Sequence, residues 1–95
     1  RDHRVVRWGG EEFLMILFEM SREEAFALSE SIREEVAGFT IFCEEQSFTC
    51  TLTLGLHVYQ EEKGIEECIN CADKALYYGK RNGKNRSVWY DEIVE

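Results

Sequence analysis

Two glycines followed by two glutamates, Gly9-Gly10-Glu11-Glu12, stand at the start of an apolar run in the segment RWGGEEFLMILF. Glycine relaxes the steric limits on a tight turn and lets another group approach bare backbone. Carboxylates fixed at such a bend offer hard oxygen ligands to a divalent cation. Taken alone, the same four residues also describe a plain solvated hairpin tip, because turn chemistry accounts for each of them. A second concentration of charge lies near the C-terminus, where Lys80, Arg81, Lys84 and Arg86 are interrupted by Asn82-Gly83. Cations in that position suit either the negative end of a helix or the oxygens of a phosphate.

The thiols and imidazoles carry weaker signals. Cys68-x-x-Cys71 has redox spacing, but a redox pair usually sits where a helix begins, and this one falls inside a helical pattern. Cys43 and Cys50 are seven apart in strand-like sequence, unlike a zinc knuckle. Reduced structural thiols are the expectation, and with them a cytoplasmic location. His57 falls on the polar side of a strand pattern, which makes it a surface residue rather than a base.

The chain of 95 residues is 44% hydrophobic and 32% charged, with a formal net charge of −8. That charge argues against general nucleic-acid binding, which needs a cationic face. A nucleotide held through metal ions stays compatible with it. No apolar run has the length of a membrane span, so no membrane segment is expected here. The sequence opens without methionine, directly on strand-like residues, which suggests a piece of a longer protein.

These residues need elements to position them. Arg4 to Trp8 reads as a short strand, and Phe13 to Phe18 as a second, apolar on both faces and therefore buried, with the glycines between them forming a hairpin. Ser21-Arg22-Glu23-Glu24 has the capping-box pattern and opens a helix with Ala25, Leu28, Ile32 and Val36 on one stripe and Gly38 at its end. Ser47 to Tyr59 alternates so regularly that one long strand is expected, with Phe48, Cys50, Leu52, Leu54, Leu56 and Val58 on its apolar face. Phe39 to Cys43 is its hairpin partner through Glu44-Glu45-Gln46. Gly64 to about Arg81 reads as a helix that presents Ile65, Ile69, Ala72, Ala75, Leu76 and Gly79, and Ser87 to Tyr90 as a last strand. The order β-β-α-β-β-α-β gives an α+β fold, helices packed on a largely antiparallel sheet, with no internal domain boundary.

With the elements in place, RWGGEEF resembles the signature of the GGDEF family, the diguanylate cyclases, in its GGEEF form. The strand TLTLGLHVY is similar to the family's strand ending in a Ser-Ile-Gly-Val-type segment. CADKALYYGKRNGKNR is similar to its ADxALYxAKxxGRNR helix end. Two departures are visible: Lys84 stands where arginine is usual, keeping the charge but losing the planar fork, and Trp8 replaces another aromatic. The resemblance implies a nucleotidyl-cyclase-like, ferredoxin-like palm, of which residues 1–95 would be the C-terminal part. The strand and helix before it would carry a metal-binding aspartate and the guanine-reading groups.

What the family does is then an expectation for the parent protein: condensation of two GTP molecules into cyclic di-GMP by two facing domains, a homodimer, with Mg²⁺ or Mn²⁺ as cofactor. Glu11 would be metal ligand and catalytic residue, Glu12 a further metal ligand, and Gly9 and Gly10 the backbone that admits the nucleotide. Lys80 and Lys84 would contact the phosphates, while Arg81 and Arg86 serve the helix end. A sensor or receiver domain would precede this part in a parent that is cytoplasmic or membrane-anchored, and the chain alone would be inactive. His3 occupies the aspartate position of the family's Arg-x-x-Asp inhibition site, and Ser31 that of a supporting arginine. The alternative is a degenerate, non-catalytic module that binds GTP or cyclic di-GMP and signals through a partner.

Overall fold

The computed structural model describes residues 3–9 and 12–93. Strand β1 (Arg4–Gly9) and strand β2 (Glu12–Ile16) pair antiparallel, and helix α1 spans Arg22–Ala37. A small antiparallel hairpin follows, β3 (Ile41–Cys43) with β4 (Gln46–Phe48), turning through Glu44-Glu45. Strand β5 (Leu54–Leu56) pairs parallel with β6 (Ser87–Trp89), and helix α2 (Gly64–Arg81) joins them before a short 3₁₀ turn at Tyr90–Glu92. The α+β class expected from the sequence holds. The antiparallel sheet does not appear as one layer: among the described residues there are three two-stranded ladders, two antiparallel and one parallel.

A local signal fixes the start of α1. The Ser21 hydroxyl accepts from the Glu24 N–H at 3.0 Å, and Glu24 Oε1 accepts from the Ser21 N–H at 2.9 Å, a complete capping box. The Ser21 backbone N–H first, and then the Ser21 hydroxyl, hold the Glu24 carboxyl below its ordinary pKa.

Three expectations about packing need correction. The long strand over 47–59 is two strands separated by an irregular stretch, so the element order gains a strand. Its two ends have different partners running in different directions, and the residues between have no strand beside them. The face that meets the helix is also the opposite one. Gly55 lies under α2, where a Cβ would be 2.9 Å from Leu76 Cα, while Thr53 packs its methyl toward Gly79. Leu54 and Leu56 turn the other way and stay half-buried. On α2 the buried stripe is Cys68, Cys71, Ala75 and Gly79, and Ile65 is left 52% exposed. Small side chains let strand and helix backbones approach, and that close packing outweighs hydrophobicity in choosing the face. Finally, β2 is not buried on both sides. Phe13 is 68% and Met15 40% exposed, because among the described residues no other element packs over that face of the hairpin.

The core therefore lies between α2, β5 and β6, completed by Val88 and Trp89. Helix α1 docks on β6 through polar contacts. Arg22 sits 4.0 Å over the Trp89 ring and 2.6 Å from Asp91, and the Ser29 and Ser87 hydroxyls share a hydrogen bond at 2.7 Å. All four cysteines are free thiols, Cys68 and Cys71 buried and Cys43 and Cys50 exposed, so Cys50 does not lie on a buried strand face as expected.

Candidate active site

The first half of the candidate site is the end of the β1–β2 hairpin. Gly9 and Glu12 face each other as its last pair, and the register shifts between Arg7 and Gly9, so one extra residue bulges β1 just before the tip. Gly10 and Glu11, which connect that pair, lie outside the described residues. Among the described residues, nothing beyond its chain neighbours stands within 4 Å of the place a Gly9 Cβ would occupy, and Gly9 is not in a left-handed conformation. Packing therefore does not demand glycine there, and the open space is available to a ligand. Glu12 shares the half-buried face of β2 with Leu14 and Ile16, leaving a carboxylate at the rim of that space.

Hard oxygen donors beside open backbone suit Mg²⁺ or Mn²⁺. Among the described residues no group of three or more His, Cys, Asp or Glu side chains is arranged to hold a metal ion.

The second half is the end of α2. Lys80 is exposed in the last turn, and the chain then passes through Gly83 (φ 115°), Lys84 (φ 57°) and Asn85 (φ 49°), three left-handed residues in a row. The Lys84 N–H donates to the Gly79 carbonyl at 2.9 Å, folding the loop back over the helix end. Neither Lys80 nor Lys84 makes an ion pair among the described residues. The two arginines have structural work instead: Arg81 lies 4.9 Å from the Tyr77 ring centroid, and Arg86 donates to the Asn82 carbonyl at the helix end. The hairpin tip closes the β1–β2 ladder, whereas Lys80 lies in the last turn of α2 and Lys84 in the loop before β6.

Sequence reasoning missed what holds the Lys84 loop. Arg33 Nη1 donates to Asn85 Oδ1 at 2.9 Å, and the Asn85 N–H donates to Thr53 Oγ1 at 3.0 Å. Arg33 is itself gripped by Glu30 through bonds of 2.9 and 2.7 Å. The only hint in the sequence is the Glu30–Arg33 spacing on a helix, which never points to Asn85. Of the two inhibition-site positions, His3 is engaged within the hairpin, its Nδ1 accepting from the Phe18 N–H at 3.1 Å, and Ser31 is exposed.

His57 is not the surface residue expected. It packs edge-on against Tyr90, ring centroids 5.3 Å apart, with Lys63 Nζ 3.4 Å from Nε2. Burial first, and then the Lys63 charge, hold the imidazole below its ordinary pKa. The unfolded chain therefore binds a proton first as pH falls below about 6.5. The stability His57 contributes is full above that pH and is lost as pH drops through the lower folded value. The urea midpoint of the purified chain should fall between about pH 7 and pH 5, and His57→Gln should flatten that decline. An identical pH profile for the two proteins would refute it.

The description "Diguanylate cyclase, GGDEF domain" belongs to the family profile that matches residues 1–86. The chain is 36% identical to diguanylate cyclase DgcZ of Escherichia coli over 93 residues, which cover 97% of the chain and 31% of that protein. It is similar to the GGDEF domain of DgcB from Caulobacter crescentus, solved in complex with c-di-GMP, with a TM-score of 0.89 and 27% identity over 95% of this chain and 53% of that one. It also resembles the active GGEEF domain of a diguanylate cyclase from Vibrio cholerae, with a TM-score of 0.85 and 35% identity over 98% of this chain and 59% of that one. The chain spans less than a third of the length of the curated relatives, 22%, 31% and 29% for three of them.

Proposed function

The chain belongs to the GGDEF family of diguanylate cyclases, and from that premise we propose that the protein carrying it condenses two GTP molecules into one cyclic di-GMP and two pyrophosphates. The observation that carries the reading is the open hairpin end, where Gly9 needs no side chain for the fold and Glu12 offers a carboxylate. In this reading Gly9 and Gly10 let the nucleotide lie against backbone. Glu11 and Glu12 hold Mg²⁺ or Mn²⁺, which when bound offsets phosphate charge and lowers the pKa of the attacking hydroxyl. Glu11 also helps take the proton from the 3′-hydroxyl of GTP. Lys80 and Lys84 contact the phosphates as point charges.

Each 3′-hydroxyl attacks the α-phosphate of the other nucleotide and displaces pyrophosphate, so two such domains must face each other, one GTP apiece. We read residues 1–95 as the C-terminal part of the module. The preceding strand and helix would pair with β2 and bring an opposing aspartate and the guanine contacts. The coverage of 53% and 59% of the solved domains supports this, as does the second edge of β2, which has no strand partner among the described residues. A sensor or receiver domain ahead of it would supply the signal. No helix among the described residues is long and apolar enough to cross a membrane. The four free thiols support a reducing, cytoplasmic setting.

The test is to incubate the full-length protein with Mg-GTP and quantify both products. One cyclic di-GMP per two pyrophosphates, abolished by EDTA and restored by added Mg²⁺, is the expected result. GTP binding without turnover would make the domain a non-catalytic receptor instead, and absence of GTP binding would overturn the site altogether.

A further inference from the structure

Lys84 is the middle residue of a backbone segment that its own chemistry disfavours. Glycine accepts φ 115° freely at Gly83, but Lys84 at 57° and Asn85 at 49° are left-handed residues with side chains. Such a conformation persists where the surroundings over-determine it, and strain of this kind gathers at functional sites. Here three elements share the restraint. The end of α2 supplies the Gly79 carbonyl to the Lys84 N–H, the residues before β5 supply the Thr53 hydroxyl to the Asn85 N–H, and α1 supplies Arg33 to the Asn85 side chain.

Of these, Arg33 is the one that local structure does not require. Helix α1 is already docked on β6 by Arg22 against Trp89 and Asp91 and by Ser29 against Ser87. Arg33 is nonetheless pre-aimed. Glu30 binds its guanidinium in a two-bond fork, the side chain is only 16% exposed, and the remaining Nη1 is the atom that meets Asn85. A planar fork held on one side by a carboxylate is a rigid arm.

We propose that Arg33 is a positioning residue for substrate phosphate. It fixes Asn85, Asn85 fixes the left-handed turn, and the turn directs the Lys84 ammonium outward to the triphosphate. This rests on the reading that Lys84 contacts the phosphates of GTP. The plainer account, in which Arg33 and Glu30 form a helix-surface pair that meets Asn85 by accident, predicts no effect on nucleotide binding.

The experiment uses the full-length protein and 3′-deoxy-GTP with Mg²⁺, a probe that lacks the attacking hydroxyl and so reports binding apart from turnover. Lys84→Ala, Arg33→Gln and Asn85→Gly are each expected to raise the Kd roughly five- to tenfold, the loss of one charged phosphate contact. Asn85→Gly suits the left-handed backbone, so it removes the anchor without straining the loop, and it carries the test if Arg33→Gln fails to fold. In a Lys84→Ala background, Asn85→Gly should add nothing further, because both changes remove the same contact. A purely structural role would instead lower the melting temperature and leave this coupling at zero. An unchanged Kd in Asn85→Gly, or an effect that multiplies with that of Lys84→Ala, overturns the proposal while leaving Lys84 as a phosphate ligand. An unchanged Kd in Lys84→Ala removes the phosphate contact itself, and with it the role of Arg33.

Discussion

Glu11→Gln in the full-length protein should reduce cyclic di-GMP synthesis by roughly a thousandfold or more, the scale of losing a group that acts directly on charge at the reacting centre. Glutamine nearly preserves the volume of glutamate but cannot carry the charge that a divalent cation requires, nor accept a proton from the attacking hydroxyl. The substitution falls between Gly9 and Glu12, which pair at the open end of a hairpin, and that hairpin packs mainly on itself. Folding should therefore be indifferent to it, and the urea midpoint should stay within experimental error of the wild type. Glu12→Gln is a useful companion. If both carboxylates hold metal, each variant should need a higher Mg²⁺ concentration for half-maximal turnover, and only Glu11→Gln should fail to recover when Mg²⁺ is raised. An undiminished kcat in Glu11→Gln would remove Glu11 from both of its proposed roles.

The parts of this structure that were legible in the sequence are those that a few adjacent residues decide. Ser21 and Glu24 cap α1 as their spacing said they would. β1 pairs with β2 as expected, its last pair Gly9 with Glu12, and the turn at Glu44-Glu45 joins β3 to β4. The illegible parts depend on which of two plausible faces meets a distant element. Alternation over 47–59 placed strands at both ends of the stretch but neither the break between them nor the side that meets α2, because burial of Leu54 and Leu56 looked more favourable than burial of Gly55. What decides the matter is distance. A helix that passes close over a strand must cross it where side chains are small, and α2 answers Gly55 with its own row of Cys71, Ala75 and Gly79. The candidate site divides in the same way. Gly9, Glu12, Lys80 and Lys84 are candidates only through the family resemblance that their local spacing carries. The Arg33–Asn85 bond spans 52 residues, and no local pattern could reveal it.

Gly55→Ala is expected to be the most damaging single-methyl change in the chain. A Cβ at that position would fall well inside contact distance of the Ala72 carbonyl oxygen and the Leu76 backbone nitrogen, and 2.9 Å from Leu76 Cα. Every one of those atoms belongs to helix backbone, so no rotamer change can relieve the overlap, and α2 would have to lift from β5 along its length. That separation would open the packing around Ala75, which is fully buried, and around Cys71. It would also disturb the Leu54 N–H bond to the Arg86 carbonyl that ties β5 to the loop after α2. A loss of about 4 kcal/mol or more follows, in the range reserved for severe overpacking, enough to unfold a domain of this size. Gly79→Ala provides the contrast. Its Cβ would meet the Thr53 methyl at 2.8 Å and the Val88 methyl at 3.2 Å, side-chain rather than backbone atoms, although these stiff β-branched residues yield only by small shifts. Alanine also gains about 1 kcal/mol of helix propensity over glycine. That variant should stay folded with a lowered melting temperature, whereas Gly55→Ala should lose its cooperative transition altogether. A Gly55→Ala protein that melts near the wild-type temperature would mean that α2 does not press on β5 as the structure places it.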